Sequence, residues 1–121
     1  MNPEDYGIGT REIKFRFYHH SSGTMHSWEN MVDRWGNHDD DLSIFIPTKG
    51  WTPTQYTGLK DKNGKKIYEG DVISEFGGPG IVCFRNECFV CESIKEPGKF
   101  LYNWRKGRVI GNVFENPELM K

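Results

Sequence analysis

Three groups of residues in this chain have the types and spacing that chemistry requires. The first is Cys88-x-x-Cys91 with Cys83 just upstream, half of a zinc knuckle or a redox pair. Tetrahedral zinc takes four converging ligands, however, and in an extended strand residues 88 and 91 point to opposite faces. Buried, inert thiols are the favoured reading, with Cys83 expected across a hairpin from Cys88. The second group is His19, His20, His26 and His38, followed by Asp39, Asp40 and Asp41. Histidine beside carboxylate is the raw material of general acid-base catalysis and of hydrolytic metal sites. The motifs that organise such chemistry are absent: no His-Glu-x-x-His, no Gly-x-Ser-x-Gly elbow and no phosphate-binding Gly-x-x-x-x-Gly-Lys-Ser loop. This group reads as a solvated loop, and no catalytic, metal or cofactor-binding residue is assigned.

The third group is basic and aromatic. Lys95, Lys99, Arg105, Lys106 and Arg108 are interleaved with Phe100, Tyr102 and Trp104, while Lys60, Lys62, Lys65 and Lys66 surround Asn63-Gly64. A positive groove with aromatic platforms is what single-stranded nucleic acid uses, stacking being worth roughly 1–3 kcal/mol per base. The candidate surface is Lys62, Lys65, Lys66, Tyr102, Trp104, Arg105, Lys106 and Arg108. The competing reading makes Phe100, Tyr102 and Trp104 an aromatic core face and leaves the lysines to solubilise a hairpin tip. A separate candidate is the pair Trp28 and Trp35, which would share one side of a short helix. Such a stripe is usually core; if exposed, it would anchor a protein partner.

The elements that must position these groups are mostly strands. Ile13, Phe15 and Phe17 alternate with Lys14, Arg16 and Tyr18, which predicts a strand after a loose arm over residues 1–11. His19 to Gly23 reads as a turn. Met25, Trp28, Val32 and Trp35 recur at helical spacing, predicting a short helix over 25–35 with no strong cap in view. Asn37 to Asp41 reads as loop, Leu42 to Ile46 as strand and Thr48 to Thr54 as irregular, with a lobe boundary between residues 54 and 55. Asn63-Gly64 predicts a type I′ hairpin turn, and Glu69-Gly70 a second turn into a strand over 71–76. Asp71 is expected to brace that turn through its carboxylate. Ile81 to Phe84 and Cys88 to Glu92 form a further hairpin. Strands over 100–104 and 108–114 follow, with Gly111 marking a bulge or a close approach, and one helical turn after Asn116-Pro117.

Composition agrees with that pattern. The 121 residues contain no alanine and four leucines, but 14 glycines and 17 aromatic residues, a balance that suits strands and tight turns better than helices. Only 36% of residues are hydrophobic, so the core is thin and gains from a partner. Sixteen basic against seventeen acidic residues leave a net charge of -1, which argues against a strong grip on duplex nucleic acid. No apolar run is long enough to span a membrane, and the start lacks the pattern of a secretory signal. An odd cysteine count suits a reducing cytoplasm.

The fold-bearing residues also carry a likeness. Arg11 to Arg16, Gln55 to Ile73 and Val109 to Leu119 resemble, in order, the three blocks of the YopX family, small proteins of bacteriophages and prophages of Gram-positive bacteria. His19-His20 stands where many members have Trp-Asp, and residues 19–54 follow the family pattern poorly. The resemblance implies a mainly β, phage-encoded protein that assembles as an oligomer, and it implies no settled activity; with the cysteine count, the cytoplasm of a bacterial host is the expected compartment. The expectation is therefore an all-β chain with a small SH3-like barrel over 55–121. An N-terminal arm and β lobe over 1–54 would carry at most a short helix. Its action would be on a phage or host protein or on itself, single-stranded nucleic-acid binding being the alternative and a metal-dependent enzyme the last choice.

Overall fold

The computed structural model describes residues 2–7, 9, 12–35, 50–75, 78–93, 99–100 and 106–120. Among them run β1 (Phe15–His19), β2 (Thr24–His26), α1 (Trp28–Trp35), β3 (Trp51–Lys60) and β4 (Lys66–Tyr68). The chain continues through β5 (Asp71–Glu75), β6 (Gly78–Arg85), β7 (Cys88–Glu92), β8 (Lys99–Phe100) and β9 (Arg108–Asn112). Turns of 3-10 helix lie at Pro3–Tyr6 and Pro117–Met120, the second where Asn116-Pro117 predicts it. The fold is all-β with one short helix. Antiparallel sheets of four strands, ordered β2-β1-β3-β4, and five, ordered β8-β7-β6-β5-β9, come together as a partly closed barrel.

Two cores follow from the alternation along these strands. Ile67, Ile73, Val82 and Cys91 are buried together, with Leu59, Phe89 and Val109 packed against them. Strands β3 to β7 and β9 thus each contribute a side chain to one interior. Phe17 and Met31 form the second core, covered by Phe15, Trp28 and Trp51. Here β1 and β3 supply the sheet and α1 the lid.

Several local expectations are corrected. Met25 is not helical: it belongs to β2, opposite Tyr18. The helix begins at Trp28, and Ser27 caps it, its Oγ accepting the Asn30 N–H at 3.1 Å. Ile13 is 59% exposed and does not share the buried face of Phe17. Trp51 to Thr54 are strand rather than irregular, and β3 runs unbroken across residues 54 and 55. Pro53 is tolerated because the Tyr56 N–H turns toward Lys14 O, so position 53 faces the other way. On that side, β4 pairs only with residues 56 to 60 of β3.

The Asn63-Gly64 turn is not type I′, since only Gly64 has positive φ, at 81°. Gly64 N–H bonds Asp61 O and Asp61 N–H bonds Lys65 O, the pattern of a three-residue loop closed by a glycine bulge. The type I′ geometry occurs instead at Asn86-Glu87, with φ of 51° and 66°, in the two-residue turn between β6 and β7. At Gly111 the expected bulge is present, while the close neighbours are side chains rather than backbone. The β5–β9 register shifts beside it, and an added Cβ would lie 2.5 Å from Asn116 Oδ1. The expected strand over Leu42 to Ile46 lies outside the described residues.

Candidate binding surfaces

The basic segments separated in sequence meet in space because of one carboxylate. Asp61 is 7% exposed. Its Oδ1 accepts the N–H groups of Asn63 and Lys65, both at 2.9 Å, and its Oδ2 accepts that of Val109 at 2.9 Å. The Lys62 N–H donates to Gly107 O at 3.1 Å. Gly107 in turn packs closely on β5, where a Cβ would sit 2.5 Å from Ser74 O. The hairpin tip is thereby pinned to the turn before β9, and Lys62, Lys65, Lys106 and Arg108 stand exposed at a common edge. Lys60 and Lys66 face each other across β3 and β4. Lys66 lies over the Tyr56 ring, 5.7 Å from its centroid, and 3.8 Å from Glu12. Burial pushes the Asp61 carboxyl up, but the Val109, Lys65 and Asn63 amides more than offset this and hold it below its usual value. Tyr102, Trp104 and Arg105 lie outside the described residues.

A second surface surrounds α1. Lys14, Trp28, Glu29, Val32 and Asp33 line an open depression. Trp28 is half-buried, its ring centroid 6.3 Å from that of Phe15, while Val32 is 42% exposed. Met31, absent from the expected stripe, is buried from α1 at 3% exposure. Lys14 Nζ bridges Glu12 at 3.0 Å and Glu29 at 3.1 Å, and these two carboxylates raise the ammonium pKa. Of Trp35, only the place at the end of α1 is described.

The histidines divide between two faces of the first sheet. His19 and His26 flank Trp51, with ring centroids 4.5 and 5.1 Å from it. Ser22 and Thr24 link them through contacts of 2.7 Å from His19 Nδ1 to Ser22, 2.7 Å between the hydroxyls, and 3.0 Å from Thr24 to His26 Nε2. His20 turns the other way, its ring edge-on to Tyr18, which stacks on Phe114. Among the described residues no three His, Cys, Asp or Glu side chains are grouped to hold a metal. His38 and Asp39 to Asp41 lie outside those residues. Cys83 is not opposite Cys88: the register pairs Cys83 with Val90 and Cys88 with Arg85. Cys91 is wholly buried, and burial pushes the half-buried Cys83 thiol up.

Asp71 joins the sheets. Fully buried, it takes the Tyr68 N–H on Oδ2 at 2.8 Å and the Arg16 guanidinium on Oδ1. Arg16 also lies over the Tyr68 ring at 4.7 Å. Burial raises the Asp71 pKa despite Arg16 and the Tyr68 amide. Sequence reasoning anticipated the brace to the turn but not Arg16, which lies 55 residues away. It also missed Asp61, for which the local signal was an acidic residue two positions before Asn63-Gly64.

These features define a small β protein with two cores, a cationic edge and an open apolar depression. The family model for YopX protein matches residues 14–121, and the chain belongs to that family. It is similar to protein EF1440 from Enterococcus faecalis, with 21% identity and a TM-score of 0.64. That match covers 92% of this chain and 99% of the other, a likeness of fold. No curated protein matches it. No helix among the described residues is long and apolar enough to cross a membrane.

Proposed function

We propose that this chain is a phage or prophage accessory protein that acts by binding, in the first instance to a second copy of itself. The observation that carries the reading is the patch around α1. An isologous contact requires one surface that is complementary to itself. Here an open depression is lined by Trp28 and Val32, and Val32 is 42% exposed, so the patch offers apolar surface to a second copy. Its rim carries both signs of charge, Lys14 against Glu12, Glu29 and Asp33. The buried carboxylates Asp61 and Asp71 are committed to backbone amides and to Arg16, which favours an architectural role for them over a catalytic one.

Sedimentation velocity over about 1 to 100 μM, the range in which a modest interface populates a dimer, tests the reading. The wild-type protein is expected to dimerise, and Val32→Glu to weaken the dimer at least about tenfold, or 1.4 kcal/mol. A strictly monomeric wild-type protein overturns self-association. If it then forms a stoichiometric complex with one phage or host protein that V32E abolishes, the patch belongs to that partner.

A further inference from the structure

We propose that the edge formed by the β3–β4 hairpin tip and the turn before β9 is a binding surface for the backbone of single-stranded nucleic acid. It stands independently of the self-association reading. Lys62 and Lys65 come from one segment, Lys106 and Arg108 from another, and the Asp61 bonds to Lys65 and Val109 bring the segments together. The cations are thus presented on a backbone fixed before any ligand arrives, which lowers the ordering cost of binding.

The charge balance at this edge calls for an anion. Lys60 and Lys66 are directly opposite across the strands, an arrangement that costs a sheet stability. Among the described residues Lys66 has Glu12 near it, whereas Lys60, Lys62, Lys65, Lys106 and Arg108 form no ion pair. Asp61, the carboxylate inside the patch, points its oxygens at three backbone amides and leaves the lysine heads free to meet solvent. A chain of net charge -1 therefore presents four exposed cations, Lys62, Lys65, Lys106 and Arg108, on two segments held together, with Lys60 and Lys66 flanking them near Glu12. The net charge of -1 weighs against a strong grip on the two strands of a duplex. A flexible single strand can lay a few consecutive phosphates along the patch.

Fluorescence anisotropy with a labelled, mixed-sequence single-stranded oligonucleotide tests the proposal. At low salt a dissociation constant below roughly 100 μM is expected. Three or four neutralised phosphates give a log–log salt slope of about -2 to -3. The double variant Lys62→Glu/Lys106→Glu is expected to bind at least tenfold more weakly and to flatten the slope by about 1.4, the share of two phosphates. Arg85→Glu makes the same two-unit charge change as Lys62→Glu alone, but the strand register places it at the opposite end of the five-stranded sheet from Arg108, and it is expected to alter neither quantity. Absence of binding below that limit overturns the proposal, as does equal loss in R85E or equally tight binding of a duplex of the same length. Polyglutamate competing as well as the oligonucleotide overturns it in favour of an acidic protein partner.

Discussion

Asp61 turns a hairpin loop into a fixed platform with one side chain, and its protonation state sets how firmly that platform is held. Its folded-state pKa lies below the ordinary 3.8. The stabilisation from its bonds is therefore fully present above that ordinary value and is lost as the pH falls through the lower folded-state value. Asp61→Asn keeps the shape but removes the charge and turns an NH2 group toward an amide donor. A loss of about 2–4 kcal/mol at pH 7 is expected by urea denaturation, given what charged hydrogen bonds and buried unpaired donors are worth. The part of the acid-limb destabilisation that comes from Asp61 should disappear in the same variant. Little of this was legible beforehand. An acidic residue before Asn63-Gly64 announces an Asx turn, but Val109 lies 48 residues away, and no local pattern reveals a partner at that distance.

At the level of elements the sequence was a better guide, and its errors have physical causes. Alternation locates β1, whereas turn residues bound β5, β6 and β7, and β5 buries Asp71, Val72 and Ile73 in succession. The helix was placed too early since Met25 fits the helical period by chance, while the Ser27 cap marks the true start. The type I′ turn belongs to the other hairpin. Asn-Gly favours type I′ by its tolerance of positive φ, but the Asp61 carboxylate selects the bulged loop there. The type I′ turn falls to Asn86-Glu87, where Glu87 holds φ at 66° without a glycine's freedom. Replacing Glu87 by Gly relieves that strain at the cost of some chain entropy. A net gain of about 0.5–1 kcal/mol is expected, read as a higher urea midpoint with unchanged slope.

Across the molecule, the two sheets are joined by long-range polar ties: Arg16 to Asp71, and Asp61 to Val109. The first is a buried ion pair, and removing one partner strands the other. Arg16→Met is expected to cost about 3–5 kcal/mol at pH 7. The sign with pH is opposite to that of Asp61. The Asp71 pKa is already raised by burial, so its ionisation is a cost to the folded state that disappears as the pH falls through the folded value. Loss of Arg16 pushes that value further up, so the penalty of R16M should shrink when denaturation is repeated at pH 4.

The position of β5 between β6 and β9 has a consequence in time. Every strand that β5 and Asp61 need is present early except β9, whose Val109 follows Asp61 by 48 residues. At about 5–20 residues per second, a ribosome takes roughly 2 to 10 seconds to deliver it. Throughout that interval Asp61 lacks one of its donors, and from its own synthesis until β9 arrives β5 offers an open strand edge. The emerging chain is then at its most adhesive, and β9 acts as the latch that ends its exposure.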